Sequence, residues 1–210
     1  NSLVCSPILN YGTEAQKKAF LEPLAQGEKL GCFCLTEPAA GSDAAALQMK
    51  ARLDGDHYIL NGSKQFISTG KNADIAIVFA VTDPEAGKKG ISAFIVPTDS
   101  PGFSCANIED KLGQHASDTA HLVFEDCRIP KNNLLGSEGE GYKIALSNLE
   151  GGRLGIASQS IGMARTAYHA AKRYAKERKA FGKEIAQHQA VAFRLADMAT
   201  NLQAAELMLL

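Results

Sequence analysis

From Gly31 to about Ile129 the chain passes through short apolar segments of period two with no helical stretch between them, and from Gly139 it becomes helical and stays so. The strand-like segments are "GCFC", "LQMKARL", "HYILNGSKQFIS", "DIAIVFAV", "GISAFIV" and "HLVFEDCRI", separated by Gly, Pro and Asp clusters. Strands without intervening helices predict an antiparallel barrel or sandwich and exclude a parallel Rossmann sheet, which needs a helix after each strand. Turns are predicted at "DGD" and at Asn61-Gly62, the latter as a hairpin signal.

The flanks read as helix. In residues 11–26, Thr13 is a candidate N-cap with Gln16 completing a capping box, Pro23 breaks the pattern, and Gly27 stops it. After Gly139, "GYKIALSNLEGGRLGIASQSIGMARTAYHAAKRYAKER" predicts one long helix despite Gly151, Gly152 and Gly155. The loop "KAFGKEI" leads to a second helix whose apolar residues Val191, Leu195, Met198, Leu202, Ala205 and Leu209 step by four and three, as on a bundle seam. Two amphipathic helices do not close a four-helix core, and Leu210 falls on the seam. One reading is that a partner chain supplies the rest of the bundle; the simpler one, expected here, is that the chain is an internal segment of a longer protein. The expected division is 1–30, the end of a helical domain; 31–136, a β-domain; and 137–210, the first part of a helical bundle.

Composition narrows the function classes. With 22 basic and 23 acidic side chains the net charge is -1, which offers no electrostatic reason for binding nucleic acid. No apolar run is long enough to span a bilayer, and no targeting segment is visible. Cys5, Cys32, Cys34, Cys105 and Cys127 are odd in number and lack C-x-x-C spacing, so free thiols in a reducing compartment are expected. The five histidines lack metal-ligand spacing, and no metal site is expected. "GSEGEG" at Gly136–Gly141 lacks the Lys-Ser/Thr ending of a phosphate loop and reads as a linker.

Five motifs stand in one order: "LTEPAAGSD" after a strand, "NGSKQFIS", "GQHASDT", "EGGR" on a long helix, and "ERKAFGK" before a second helix. Together they resemble the acyl-CoA dehydrogenase family, specifically its short-chain and branched-chain members, over essentially the whole chain. The resemblance implies an α+β fold: the tail of an N-terminal helical domain, an antiparallel β-barrel middle domain, and part of a C-terminal helical bundle. It implies FAD as cofactor and an acyl-CoA thioester as substrate, with electron-transfer flavoprotein as partner and a homotetramer in the full-length protein. The activity would serve fatty acid β-oxidation or branched-chain amino acid catabolism. The compartment would be cytoplasmic in a bacterium or the mitochondrial matrix in a eukaryote.

The same resemblance assigns residues. Phe33, Leu35, Thr36, Gly41 and Ser42 would lie along the flavin, with backbone N–H groups and the Thr36 hydroxyl as donors. Gly41 would admit close approach, and Ser42 would reach the pyrophosphate or the substrate. Phe66, Ile67 and Ser68 would form the second flavin contact; many members carry Trp and Thr where this chain has Phe66 and Ser68. The alternative reading of Phe66 is ordinary barrel core. Arg178 and Phe181, with His188 and Gln189, would reach FAD bound by a neighbouring subunit, a guanidinium being suited to the pyrophosphate. The alternative for Arg178 is a solvated basic helix end. Glu150, Gly151, Gly152 and Arg153 would face the substrate; the alternative for the glycine pair is close helix packing.

No residue is assigned as catalytic. A few relatives carry the catalytic glutamate at the position of Gly152, and Glu150, two residues away on a helix, faces elsewhere. The base is therefore expected beyond Leu210. The competing readings are an acyl-CoA oxidase or flavin monooxygenase of the same superfamily, and a non-catalytic acyl-CoA-binding module.

Overall fold

In the computed structural model, which describes residues 1–210, the chain forms five α-helices and ten strands. It divides into two compact units, Asn1–Leu149 and Glu150–Leu210, with the boundary inside the long helix α4 (Gly141–Glu177).

The first unit begins with α1 (Ser2–Tyr11). Thr13 then caps α2 (Glu14–Gln16): its hydroxyl accepts from the Gln16 N–H, and the Gln16 side chain accepts from the Thr13 N–H, the predicted capping box. Pro23 does not break the helix as expected. A π turn at Lys17–Leu21 precedes it and α3 (Glu22–Gln26) carries it, with the backbone right-handed helical at Lys17, Leu21 and Glu22, so the helical path runs on through the proline with its hydrogen-bond ladder shifted by the π turn. Gly27 closes the helix at φ 78.

Eight strands follow: β1 (Gly31–Cys34), β2 (Lys50–Asp54), β3 (His57–Ser68), β4 (Ile75–Val81), β5 (Ile91–Pro97), β6 (Phe103–Ile108), β7 (Thr119–Pro130) and β8 (Leu134–Leu135). Their order is β6-β7-β3-β2-β4-β5-β8, with β1 beside β4. The expected antiparallel pattern holds for most pairs, but β1 and β2 run parallel to β4. The reason is the β2–β3 hairpin, which carries the chain back so that β4 starts at the same end as β1. The strand path has two ends, β6 and β8, which are not paired with each other.

β4 and β5 are buried on both faces, which explains their nearly unbroken apolar sequences. Ala76, Val78, Phe94 and Val96 point into one core with Tyr58, Leu60, Leu122 and Phe124. Ile75, Ile77, Phe79 and Ile95 point into a second, where they meet Val4 and Ile8 of α1 and Ile144 of α4.

The two predicted turns part company. Asp54 pairs with His57 across a two-residue loop, with Gly55 at φ 60, as a primed hairpin turn requires. Asn61-Gly62 is not a turn: it lies inside β3, at a shift of register against β7 between Leu60 and Gly62. Asn61 exchanges two hydrogen bonds with Asp126, from its Nδ2 to the carboxylate and from the Asp126 N–H to its Oδ1. A Cβ at Gly62 would sit 2.9 Å from the Met49 side chain. The dipeptide serves a bulge and a close approach of strands.

In the second unit, α4 continues to Glu177 and α5 spans Gln189–Leu209. Arg165 pairs with Glu206 at 2.8 Å, and the two helices flank an apolar groove of about 590 Å³ lined by Ile161, Ala164, Tyr168, Met198, Leu202 and Ala205. Half of the predicted seam on α5 thus faces α4, while no residue of α5 is fully buried. The connection expected as a loop is a miniature hairpin, β9 (Lys179–Ala180) with β10 (Lys183–Glu184). No helix is long and apolar enough to cross a membrane.

Candidate functional site

Two of the predicted segments meet in the first unit. Past β1 the chain makes a tight turn, Glu37 and Ala40 exchanging backbone hydrogen bonds of 2.9 and 3.1 Å. The residues following β1 are tied to β3 by successive residues: Lys64 donates from Nζ to the Leu35 carbonyl at 3.1 Å, and Gln65 donates its N–H to the Thr36 carbonyl at 2.9 Å.

Immediately beyond, β3 slips register against β7 between Lys64 and Ile67. Phe66 sits in that bulge at φ 58 with 63% of its surface exposed. A left-handed backbone is costly for a bulky aromatic, about 1–2 kcal/mol. An apolar ring held in solvent on a strained backbone is not barrel core, which removes the alternative reading of Phe66. His121, on β7 opposite the same bulge, has a buried Nε2 without a hydrogen-bond partner.

The other predicted residues of this unit sort by burial. Thr36 is half-buried, and Gly41, Ser42 and Ser68 are exposed. A Cβ at Gly41 would meet nothing within 4 Å, so the fold itself does not require glycine there. Leu35 and Ile67 are core residues, and Phe33 packs edge-to-face on Phe79 at 5.1 Å. What Leu35 and Ile67 can present to a ligand is therefore backbone.

Sequence reasoning missed what holds this turn. Lys64 is wholly buried, and its Nζ lies 2.8 Å from Oε1 of Glu37, itself buried. The Glu37 carboxylate also accepts the N–H groups of Gln48 at 2.6 Å and Met49 at 3.0 Å. Burial pushes the Lys64 ammonium below the usual lysine range, and Glu37 beside it pulls it back up. The signal was present as a lysine between the inward-facing Leu60 and Ile67, but the bulges hide which face it takes.

In the second unit, Phe181 and Gly182 form the two-residue loop of the β9–β10 hairpin, both left-handed at φ 53 and 78. Phe181 is 96% exposed, a second bulky ring held in solvent at a position that favours Asn or Gly. His188 packs its ring against Phe181 with centroids 6.0 Å apart and bonds through Nε2 to the Ala180 carbonyl at 3.1 Å. Gln189 begins α5 and is exposed. Arg178 is exposed and joins no ion pair. Glu150, Gly151 and Arg153 are exposed on α4, with Gly152 half-buried. Among residues 1–210 a Cβ at Gly151 would meet nothing within 4 Å.

All five cysteines are free; Cys32 and Cys34 place their sulfurs 3.6 Å apart on one face of β1. Burial pushes the thiols of Cys34 and Cys127 up, the latter to about 11, so neither is a poised nucleophile.

Three family models match in succession: the acyl-CoA dehydrogenase N-terminal domain over residues 1–28, the middle domain over 32–127 and the C-terminal domain over 139–210. The short-chain specific acyl-CoA dehydrogenase of Homo sapiens mitochondria is 50% identical over 208 residues, 99% of this chain and 50% of that protein. The structure of butyryl-CoA dehydrogenase from Megasphaera elsdenii superposes with a TM-score of 0.97 at 49% identity, covering 99% of this chain and 55% of that one. A chain in a structure described as the electron transferring flavoprotein of Acidaminococcus fermentans superposes equally well, at 54% identity over 99% of this chain and 55% of that one. The chain spans about half the length of these relatives. With all three domain models of one family in order, and that family's fold at both ends of the comparison, the chain belongs to the acyl-CoA dehydrogenase family.

Proposed function

We propose that the protein carrying this chain is an FAD-dependent acyl-CoA dehydrogenase acting on short-chain thioesters, with electrons passed on to an electron-transfer flavoprotein. The observation that carries the reading is Phe66: an exposed aromatic ring on a left-handed backbone, beside the Thr36–Ser42 turn. Strain of this kind persists only where the surrounding structure holds it, and it clusters at ligand-binding and active sites.

The residues fit the cofactor. A planar tricyclic ring with hydrogen-bonding edges calls for an apolar face and for hydroxyls and backbone amides around it. Phe66 offers the face, and Thr36, Ser42 and Ser68 offer hydroxyls on solvent-accessible segments. When bound, FAD supplies acceptance of the hydride that leaves the acyl β-carbon. The chain's own part is to bind and orient. Backbone of Leu35, Thr36 and Ile67 would meet the ring edge, Gly41 would leave its backbone open to approach, and Ser42 would serve the pyrophosphate or the thioester. Arg178, with Phe181, His188 and Gln189, would hold the cofactor of a neighbouring subunit in a homotetramer, the guanidinium taking the pyrophosphate. Glu150, Gly151, Gly152 and Arg153 would line the acyl-CoA. The division at 30/31 and 136/137 and a role in β-oxidation or branched-chain catabolism belong to the same reading, as does a cytoplasmic or mitochondrial-matrix compartment. The α-proton is not assigned to a base among residues 1–210, because position 152 is glycine and Glu150 projects from another side of the helix.

The test is a comparison of substrates on the purified protein that carries this chain. Dye reduction is expected to be faster with butyryl-CoA than with long-chain acyl-CoA. Stoichiometric FAD without turnover of C4 to C6 thioesters would overturn the short-chain assignment.

A further inference from the structure

The ion pair Lys64–Glu37 has no place in the reading above, yet it lies under both segments that reading assigns to the cofactor. Lys64 Nζ reaches two acceptors, the Leu35 carbonyl and the Glu37 carboxylate, and Glu37 takes the N–H groups of Gln48 and Met49. Lys64 and its neighbour Gln65 thus bind the carbonyls of the consecutive residues Leu35 and Thr36, and Phe66 comes next in the chain. The two buried side chains together connect the Thr36 turn, the residues just before β2 and the bulge that presents Phe66.

We propose that Lys64 is the positioning residue of this face: by its bond to the Leu35 carbonyl and its ion pair with Glu37 it holds the turn against β3, so that turn and bulge meet one planar ligand together. The proposal rests on the flavin reading above for the ligand, and on the geometry of the structure for the clamp. Burial of both charges is the physical reason a clamp works here. A buried pair is worth little as net stability against an apolar replacement, but it specifies one geometry, because every alternative leaves a charge unpaired in the core. An apolar side chain at 64 would fill the same space without holding the Leu35 carbonyl.

The test uses two variants of the full-length protein. Lys64→Met alone leaves Glu37 buried and without its cation, so the informative variant is the neutral double, Lys64→Met with Glu37→Gln, whose amide oxygen keeps an acceptor for one of the two N–H groups that Glu37 takes from Gln48 and Met49. Amide hydrogen exchange is read in the flavin-free state, and FAD affinity and flavin visible circular dichroism in the loaded state. The double variant is expected to fold, to exchange faster at Leu35–Ser42 and Phe66–Ser68 than elsewhere, and to bind FAD roughly 10- to 100-fold more weakly with an altered flavin spectrum. Wild-type exchange, affinity and spectrum in the double variant would overturn the proposal and leave the pair a packing feature. Wild-type protein that takes up no flavin would instead sink the functional reading, and the exchange data would still show whether the clamp exists.

Discussion

Gln65 donates its backbone N–H to the carbonyl of Thr36 across 2.9 Å, joining two segments that lie 29 residues apart. That bond sits between the buried Lys64 and the exposed Phe66. Residues on one side of it are held by charge and burial, while Phe66 is held out against its own backbone preference. The arrangement makes the local energetics testable.

Phe66→Asn is expected to stabilise the flavin-free protein, since Asn tolerates a left-handed backbone and little buried area is lost from a side chain that is 63% exposed. The gain is about 1 kcal/mol, from relief of strain. FAD affinity is expected to fall in the same variant. Urea unfolding of the apoprotein with a flavin titration checks both; a destabilised apoprotein would mean that Phe66 packs on the protein after all.

Phe181→Asn tests the second strained ring. At the first position of a two-residue hairpin loop, Asn is a preferred residue, so about 1 kcal/mol of stabilisation is expected, read as a higher thermal midpoint. An unchanged or lower midpoint would show that contact with His188 outweighs the strain.

Arg178→Ala is expected to leave the fold intact and weaken FAD retention. Loss of one charge-assisted contact is worth roughly 1.5–3 kcal/mol, about one to two decades in affinity. Retention of FAD through dialysis at the wild-type level would remove Arg178 from the cofactor site.

Tyr58 gives an alkaline signature. It is buried, its hydroxyl donates to Glu138, and burial first and that carboxylate second push the phenol well above its ordinary value of 10.0. A raised folded-state pKa contributes stability that is complete below the unfolded value and is lost as pH rises beyond it. Urea midpoints of wild type should therefore fall above pH 10, and Tyr58→Phe should fall less steeply while starting lower at neutral pH by about 1 kcal/mol for the lost hydrogen bond. Equal slopes would exclude Tyr58 as the source.

Local chemistry was legible where a residue has one physical option. The Thr13–Gln16 box and the "DGD" turn form as their side chains and backbones require. Asn61-Gly62 shows the limit: the same dipeptide suits a primed turn and a bulge, and only the partner strand, with Asp126 waiting opposite, decides between them. Parallel pairing of β1 with β4 is set by the path of the intervening hairpin, which no local period records. At the site, the motif order pointed to the Thr36 turn and the Phe66 segment, but not to their support. Glu37 stands within a motif and Lys64 within a strand; that they meet in the core depends on two register shifts in β3.

On the proposed function, the face formed by the Thr36 turn and the Phe66 bulge holds a flavin that oxidises a short acyl-CoA. Anaerobic addition of butyryl-CoA to the FAD-loaded full-length protein measures this most directly, through the visible absorbance of the oxidised flavin. Bleaching by butyryl-CoA is expected in wild type, and weaker FAD uptake with less bleaching when Phe66 is replaced by Asn. A protein that binds FAD fully yet keeps its oxidised spectrum with butyryl-CoA, or one in which Phe66→Asn changes neither uptake nor bleaching, would contradict it.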